Sequence, residues 1–363
     1  MKVRLGDIIS IKTGKLNANT SSLDGKYPFF TCAIEPLKIN RYSYDCECVL
    51  IAGNGDLNVK YYCGKFDAYQ RTYIIESLDK QQLSVPYLYL FMSKYIDLLR
   101  NQAIGGVIKY IKLANITEAQ LDIPTLSMQK KIVKTIGKLD ITISKRKQQL
   151  TKLDELVKSR FMEMFGDPWN DSNKYPLERL SNLSEKITDG VHKKPTYTQS
   201  GRPFLSVVNI NKRVVDFSNC KFISNNDFDL IAKSNIANKG DILYTKVGTY
   251  GIAAHVETDI KFALYVSVCL IKPKHNIINS CFLAHSMNMP YVKYQADRRV
   301  KGIGVPDLHL NQIREFSIIV PPLPLQQQFA AFVEKVDKSK LAVKQSLEKL
   351  ETLKKSLMQQ YFG

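Results

Sequence analysis

The sequence predicts an α+β protein in which two globular domains are joined by a long antiparallel two-helix coiled coil, with an internal pseudo-two-fold repeat. Three observations support this fold class. One stretch of the chain occurs twice, each copy has the composition and periodicity of a long helix, and the residues before each copy alternate strand-like runs with turns.

The repeated stretch covers residues 124–166 and 321–363. The first copy begins PTLSMQKKIVKTIGKLD and ends SRFMEMFG, and the second begins PPLPLQQQFAAFVEKVD and ends SLMQQYFG. A constant offset of 197 residues aligns them without a gap. Under that offset the identical pairs include Pro124 and Pro321, Leu126 and Leu323, Gln129 and Gln326, Asp140 and Asp337, and Phe165 and Phe362. The match indicates an internal duplication.

Each copy reads as one long helix with a narrow apolar stripe. Lys, Glu, Gln and Leu dominate, and after the opening prolines, the last of which is Pro324 in the second copy, no proline interrupts either helix for about 38 residues, or roughly 57 Å. A helix of that length, with apolar residues at only two positions of each heptad, needs a partner helix, and the nearest partner is the other copy. The alternative is two unrelated amphipathic helices, each packed on its own domain.

The predicted helix contacts follow from the offset, if the offset reflects a pseudo-two-fold axis. That axis pairs the helices antiparallel. It places Arg146 opposite Val343, Leu139 near Leu350, Leu153 near Val336 and Ile143 opposite Leu347, with Ile132 and Leu357 also on the stripe. Two copies of residues 1–166 would instead place Arg146 against Arg146, so we expect the isolated first half to dimerise weakly and Arg146→Leu to strengthen that dimer.

Five segments follow along the chain. Residues 1–123 form a first globular domain and residues 124–166 the first long helix. Residues 167–176 are a short polar linker, residues 177–320 a second globular domain, and residues 321–363 the second long helix. The motif order of the first domain recurs in the second at an offset of 175 near its start and 197 at its end, so the second has about 22 extra residues, mostly within 208–240. The two domains therefore share the order of their segments and differ mainly in their central segments.

The charge of the chain indicates a polyanionic ligand. The formal net charge is +18. Residues 1–166 hold 25 Lys and Arg against 16 Asp and Glu, and the remaining residues hold 27 against 18, so each half has a charge of +9. Two equally basic domains favour one shared polyanion, and nucleic acid is the leading candidate.

The sequence predicts a reduced, cytoplasmic protein with no membrane partner. Its seven cysteines form no CxxC pair, the first residues lack an apolar signal core, and no window approaches eighteen uninterrupted apolar residues. Cys32, Cys46, Cys48 and Cys63 fall in one domain, but their spacing is unusual for zinc. We interpret them as buried thiols.

No pattern for catalysis is present. The sequence lacks a P-loop, a zinc-ligand pattern and a nucleophile elbow, and its five histidines share no ligand spacing. Asp167-Pro168-Trp169 resembles the Asp-Pro-Pro-aromatic motif of amino-methyltransferases only faintly, and a linker turn is the simpler interpretation. We expect binding without catalysis, with no catalytic residue, no metal site and no cofactor bound by this chain.

Three loops in each half combine Gly with Lys, Arg, Asn and Tyr, which suits close approach to DNA. They cover 42–44, 54–60 and 105–112 in the first half, and 192–194, 246–250 and 298–304 in the second. The candidate DNA contacts are Tyr42, Tyr44, Asn54, Asn58, Lys60, Lys109, Lys112, Lys193, Lys194, Lys246, Tyr250, Arg298, Arg299 and Lys301. The alternative is a basic surface exposed only to solvent.

The frame resembles the specificity subunit of type I restriction-modification enzymes over the whole chain. The resemblance depends on Ile123-Pro124-x-Leu126-x-x-Gln129, on Val320-Pro321 with Leu323 and Gln326, on the repeated helices and on Phe165-Gly166-Asp167-Pro168. The first copy departs from the usual Pro-Leu-x-Glu-Gln with Ser-Met-Gln-Lys.

The resemblance implies a non-catalytic subunit with two target-recognition domains, each reading one half of a bipartite sequence in double-stranded DNA. It implies that the two helices dock two DNA methyltransferase subunits and that restriction/translocase subunits join them. It also implies that S-adenosylmethionine, ATP and Mg are bound by those partner subunits. Two other functions remain open from the sequence: a stand-alone sequence-specific DNA-binding regulator with the same frame, and a nuclease with a disguised site.

Overall fold

The structure is a computed structural model that describes residues 2–167, 174–211, 213–300 and 304–363, without the side chains of residues 232–234. The chain divides into two compact units. Unit 1 comprises Met1–Gln149 with Val343–Gly363, and unit 2 comprises Leu150–Ala342. Each unit therefore contains one globular domain together with parts of both long helices.

The first domain is built from short strands followed by a helix. Its elements are β1 (Lys2–Arg4), β2 (Ile9–Thr13), β3 (Tyr27–Phe30), β4 (Leu37–Ile39), β5 (Tyr44–Ala52), β6 (Val59–Ala68), β7 (Thr72–Ser77), α1 (Val85–Gln102), α2 (Leu113–Thr117) and β8 (Gln120–Asp122). The strands are rich in β-branched and aromatic residues, and Gly, Asn and Asp separate them. The first long helix, α3 (Leu126–Phe165), follows.

A six-stranded sheet forms most of the first domain, in the order β2-β7-β5-β6-β3-β4. Neighbouring strands in this sheet are antiparallel, except that β3 and β6 run parallel, with Phe29 paired with Asp67. Strands β1 and β8 pair separately through Val3 and Leu121. This second pairing joins the start of the domain to the residues that lead into α3.

The second domain repeats this arrangement with additions. Its elements are β9 (Leu177–Arg179), β10 (Ser184–Asp189), β11 (Tyr197–Thr198), β12 (Arg202–Leu205), β13 (Ile210–Asn211), β14 (Val214–Val215), β15 (Lys221–Ile223), α4 (Asn225–Asn235), β16 (Ile242–Thr245), β17 (Ala253–His255), β18 (Ala263–Leu264), β19 (Val268–Pro273), α5 (Ser280–Met287), α6 (Pro290–Asp297), α7 (Leu310–Arg314) and β20 (Ser317–Ile319). The β13–β14 hairpin and α4 lie in the longer middle of this domain. The second long helix, α8 (Leu323–Phe362), follows.

The strand pairings of the second domain match those of the first. Its sheets have the orders β10-β19-β16-β17 and β11-β15-β12-β18, and β12 runs parallel to β18 as β3 does to β6. Strands β9 and β20 pair through Glu178 and Ile318, the positions that the offsets of 175 and 197 give for Val3 and Leu121. The duplicated strand order indicated by the sequence is therefore present in the fold.

Helix α1 has two shorter counterparts in the second domain, α5 and α6. The break between them lies at Asn288 and Met289. Pro290 is the first residue of α6 and supplies no backbone N–H, so a continuous helix would lose a hydrogen bond there. The Asn288 side-chain amide donates to the carbonyl oxygens of Ala253 and Ala284, each at 2.8 Å, and fixes the bend against β17.

The two long helices have identical lengths and equivalent ends. Each contains 40 residues, slightly more than the sequence suggested, and their first and last residues are related by the 197-residue offset. The helices pack together, with the side chains of Ile132, Ile143, Val336 and Val343 buried. The other predicted contact residues, Leu139, Arg146, Leu153, Leu347, Leu350 and Leu357, are half-buried.

Side-chain pairs show that the helix segments within each unit run antiparallel, through ion pairs in unit 1 and through Asp154 with Lys340 and Phe161 with Phe329 in unit 2. In unit 1, Lys354 pairs with Asp140 and Lys147 with Glu351, so numbering rises along one helix as it falls along the other. In unit 2, the Lys340 ammonium lies 2.8 Å from Asp154 and 3.1 Å from Asp337. Burial lowers the pKa of Lys340, but the hydrogen bond to Asp154 and the charge of Asp337 outweigh it, and the net shift is upward.

Aromatic side chains attach the ends of the long helices to the domains. In unit 2, the Phe161 ring stacks on Phe282 of α5 at 5.6 Å between centroids and meets Phe329 of α8 at 5.5 Å. In unit 1, Phe362 at the end of α8 meets Tyr87 of α1 at 5.1 Å. Each domain is thus packed between the start of one long helix and the end of the other.

A buried glutamine at the start of each long helix completes the attachment. Gln129 and Gln326 are fully buried. The Gln129 carboxamide oxygen accepts from the Ser84 backbone N–H at 2.9 Å, and its nitrogen donates to the Gln82 carbonyl oxygen at 2.8 Å. The Gln326 side chain accepts from the Asn279 backbone N–H at 2.8 Å and donates to the carbonyl oxygen of Ile277 at 3.3 Å. These bonds join the first turn of each long helix to the segment that precedes α1 or α5.

Replacing either buried glutamine should destabilise its own unit. Gln129→Ala leaves the Ser84 N–H and two carbonyl oxygens without this buried partner, so we expect the free energy of unfolding to fall by about 2 kcal/mol or more. Gln326→Ala should have a similar effect on unit 2. Hydrogen exchange resolved by segment measures each loss, and the exposed Gln148→Ala is the control. Unchanged protection in Gln129→Ala would show that these bonds contribute little net stability.

Candidate nucleic-acid interface

Two of the three predicted loops of the first domain are joined by backbone hydrogen bonds. The loop after β5 meets the loop before α2, where the Ile111 N–H donates to the Gly53 carbonyl oxygen at 3.0 Å. The Gly55 N–H donates to the Lys109 carbonyl oxygen at 2.9 Å. We call this pair of loops, residues 53–58 and 104–112, loop pair 1.

The second domain has the same pair of loops with the same bonds. The Leu308 N–H donates to the Lys246 carbonyl oxygen at 2.9 Å, and the Gly248 N–H donates to the Pro306 carbonyl oxygen at 2.9 Å. We call residues 246–251 and 304–309 loop pair 2. The two loop pairs share one backbone arrangement while most of their side chains differ.

A left-handed glycine maintains this arrangement in both domains. The backbone φ angle is 71° at Gly55 and 75° at Gly248. A side chain at either position would be strained, and a glycine lets the backbone turn there and present its N–H to the facing loop. These two glycines thus determine the backbone conformation of the loop pairs.

Polar side chains of loop pair 1 form a connected cluster. Cys32 donates through its thiol to the Asn54 carboxamide oxygen at 2.9 Å, and the Asn58 amide donates to the Cys32 carbonyl oxygen at 2.8 Å. The Lys60 ammonium donates to the Asn58 carboxamide oxygen. Burial lowers the pKa of the Lys60 ammonium. The structure therefore brings Asn54, Asn58 and Lys60 together, whereas Lys109 and Lys112 on the facing loop are exposed.

Tyr42 and Tyr44 lie away from loop pair 1. They are at the start of β5, whereas Asn54 follows its end, and nine strand residues extend over roughly 27 Å. The Tyr42 ring is 43% exposed and lies 4.7 Å below the Lys65 ammonium. The Tyr44 hydroxyl donates to the Thr13 carbonyl oxygen at 2.9 Å, and its ring stacks on Phe66. Tyr44 is thus occupied by contacts within the domain.

Lys246 is buried between two carboxylates in loop pair 2. Its ammonium lies 3.6 Å from Asp189 and 3.7 Å from Asp307, and the side chain is only 6% exposed. His192 lies 3.7 Å from Asp189, which places the start of the 192–194 loop beside loop pair 2. Lys193 and Lys194 are exposed. Lys246 would have to leave both carboxylates before it could reach a phosphate.

The remaining candidates lie around α6. The Tyr250 hydroxyl donates to Asp297 at 2.8 Å, and the exposed Arg298 guanidinium lies 5.5 Å from the Tyr294 ring. Arg299 is half-buried and donates to the Gln295 carbonyl oxygen at 3.0 Å. Lys301 lies outside the described residues, as do Pro168 and Trp169 of the linker.

Sequence reasoning missed Asp189 and Asp307, the two partners of Lys246. The only signal in the sequence was their position in the repeat. Asp189 directly precedes the glycine that matches Gly14, and Asp307 is the residue that matches Tyr110 under the offset of 197. Of the four cysteines interpreted as buried, Cys48 is buried and Cys63 is exposed, so that expectation is wrong for Cys63. Cys63 faces Glu47 across the sheet, on the opposite face from Cys48.

The described part of the chain contains no group of His, Cys, Asp and Glu side chains arranged to hold a metal ion. Over the same residues, none of the helices has the length and apolar character needed to cross a bilayer. Both loop pairs are held by backbone hydrogen bonds, and loop pair 1 adds the side-chain amides of Asn54 and Asn58.

Comparison with known proteins identifies this architecture. The family described as the type I restriction modification DNA specificity domain matches residues 1–155 and 179–353. The specificity subunit of the type I restriction enzyme EcoDI from Escherichia coli is 25% identical over 397 residues, covering 99% of this chain and 87% of that protein. The crystal structure of a type I restriction-modification S subunit from M. genitalium has a TM-score of 0.64 at 16% identity, covering 100% of this chain and 96% of that chain.

Two copies of one α+β domain, each packed between the start of one long helix and the end of the other, define a duplicated specificity protein. The chain belongs to the type I restriction-modification DNA specificity family, in which it is a specificity (S) subunit. This confirms the family resemblance and the fold class indicated by the sequence.

Lys246→Met should reveal whether this lysine mainly stabilises loop pair 2. Removing the ammonium leaves Asp189 and Asp307 facing each other, and we expect the free energy of unfolding of unit 2 to fall by about 2 kcal/mol, since Asp307 is partly exposed. Chemical denaturation at neutral pH measures the loss, with the exposed Lys193→Met as the control. Equal stability of the two variants would contradict a structural role for Lys246.

Proposed function

We propose that this S subunit reads a bipartite DNA target, one half-site per domain, and directs partner methyltransferase and restriction subunits to it. The observation that most strongly supports the proposal is the recurrence of one backbone frame, loop pair 1 and loop pair 2, with different side chains. A shared frame presents each loop to DNA in the same geometry, and the differing side chains select different base pairs.

The distribution of charge supports DNA as the ligand. Each half of the chain has a net charge of +9, and exposed lysines flank both loop pairs. Lysines neutralise phosphates and fix the position of the protein, whereas side-chain amides such as those of Asn54 and Asn58 can pair with base edges. The half-buried cluster around Asn58 would present such amides in a fixed orientation.

We propose that the chain itself performs no chemistry. Methylation with S-adenosylmethionine and cleavage with ATP and Mg belong to the partner subunits. Two methyltransferase subunits would dock on the paired long helices, and restriction/translocase subunits would join them in the cytoplasm. Structural work on a protein of similar fold, with a TM-score of 0.58 at 15% identity, concerns complex assembly and conformational transition of the type I R-M system.

The methylation pattern of genomic DNA tests this function. With the gene present we expect a bipartite motif to be methylated, and deletion of the gene should abolish methylation at that motif alone. Exchange of residues 1–123 for another first domain should change one half of the motif and keep the other. Unchanged methylation after deletion would rule out a role in specificity. A pull-down that recovers no methyltransferase would favour a stand-alone regulator.

DNA binding should depend steeply on salt. If the two basic domains neutralise about six to ten phosphates, affinity should fall roughly 10³ to 10⁵ fold between about 50 and 200 mM salt. Lys109→Ala in loop pair 1 should lower the slope of log affinity against log salt by about 1. The exposed Lys138→Ala on α3 is the control. Fluorescence anisotropy at several salt concentrations measures the slopes, and a flat response in the unmodified protein would count against DNA.

The length of the paired helices should set the spacer between the half-sites. Deleting one heptad from each helix, residues 143–149 and 340–346, preserves the stripe and shortens each helix by about 10 Å, or roughly three base pairs. We expect the half-site sequences to remain and the spacer to shrink. Sequencing of methylated DNA reads both, and a shortened protein that methylates the original spacer would show that the helices do not set it.

A further inference from the structure

The tip of loop pair 1 presents two apolar side chains to solvent. Val107 is fully exposed and Ile108 is 62% exposed. The tip is a closed loop, because the Ile104 N–H donates to the Tyr110 carbonyl oxygen at 3.0 Å and the Tyr110 N–H donates back to the Ile104 carbonyl oxygen at 2.8 Å. Val107 and Ile108 thus sit on a tethered loop while remaining exposed. Exposed apolar side chains gathered on one loop often mark a binding surface.

The surroundings of these side chains are basic. Lys109 follows Ile108 directly, and Lys112 lies at the end of the same loop, both exposed. Tyr110, between them, is 41% exposed. An apolar tip flanked by ammonium groups and an aromatic ring matches the chemistry of DNA, where apolar base surfaces lie beside phosphates.

An exposed apolar residue recurs at the same place in the second domain. Val305 corresponds to Ile108 under the 197-residue offset and is 64% exposed. Ile108 directly precedes Lys109, whose carbonyl oxygen accepts from the N–H of the left-handed Gly55. Val305 directly precedes Pro306, whose carbonyl oxygen accepts from the N–H of the left-handed Gly248. Because most of the surrounding side chains differ between the domains, the recurrence of an exposed apolar residue here is an independent observation.

We propose that the tip formed by Val107 and Ile108 is an apolar base-contact element of the first domain. Its side chains bury themselves against the apolar surface of bases in the half-site, while Lys109 and Lys112 neutralise the adjacent phosphates. The apolar surface is either a thymine methyl group in the major groove or the face of an unstacked base. This inference rests on the proposed function, since it requires that loop pair 1 bind DNA.

Binding selection from a random duplex pool tests the tip with the full-length chain. The double variant Val107→Ala/Ile108→Ala is compared with Leu23→Ala/Leu78→Ala, which removes apolar groups that are 95% and 63% exposed elsewhere in the same domain. We expect the tip variant to lose roughly tenfold or more in affinity for the duplex selected by the unmodified protein. Its affinity for a scrambled duplex and its salt dependence should stay the same. The control variant should match the unmodified protein on both duplexes.

Two modified duplexes then identify the base surface. Uracil in place of one thymine should reduce affinity for the unmodified protein but not for the tip variant if the tip touches a methyl group. A rise in 2-aminopurine fluorescence at one step, absent with the tip variant, would show an unstacked base. Either result supports the proposal.

Three results would overturn it. A tip variant that binds the selected duplex as tightly as the unmodified protein would show that the tip makes no base contact. Equal losses on selected and scrambled duplexes would show a contact without base preference. Normal DNA binding with weakened capture of a methyltransferase subunit would make the tip a protein contact. If the unmodified protein enriches no sequence at all, the proposed function itself fails, which distinguishes the two failures.

Discussion

One buried amide links the first turn of each long helix to its domain, in addition to the aromatic contacts at the helix ends. Gln129 and Gln326 occupy the same position in the repeat, and both donate and accept from backbone groups that would otherwise be buried without those partners. A carboxamide suits this position because it carries a donor and an acceptor at the end of a neutral side chain. These bonds hold the first turn of α3 and of α8 against its domain.

Conserving the backbone while varying the side chains is the constraint that relates this fold to its function. Bonds such as Gly55 to Lys109 and Gly248 to Pro306 involve main-chain atoms only, so the side chains around them can change without changing the loop geometry. The middle of the second domain goes further, with the added hairpin β13–β14 and helix α4. This separation suits the function we propose, in which one frame reads two different half-sites.

The lysines of the second domain occupy two different environments. Lys193 and Lys194 are exposed, whereas Lys246 is withdrawn between Asp189 and Asp307. Removal of the Lys246 ammonium would leave two carboxylates close together without a counter-charge, which is why we expect this lysine to stabilise the loops. Net charge therefore supports the proposed DNA ligand, but it does not show which lysines face that ligand.

The sequence alone determined the features that depend on periodicity and repetition. The 197-residue offset, the uninterrupted helical stripes and the recurring strand order predicted two domains and two equal long helices, because a duplication preserves local patterns that can be read directly. The break between α5 and α6 was missed, although Pro290 and Asn288 lie at it. Only the tertiary structure decided which side chains of the loops are exposed and which contact other parts of the domain. The exposed tip at Val107 and Ile108, the withdrawal of Lys246 and the separation of Tyr44 from Asn54 depend on contacts between residues far apart in the chain, and no local pattern records such contacts.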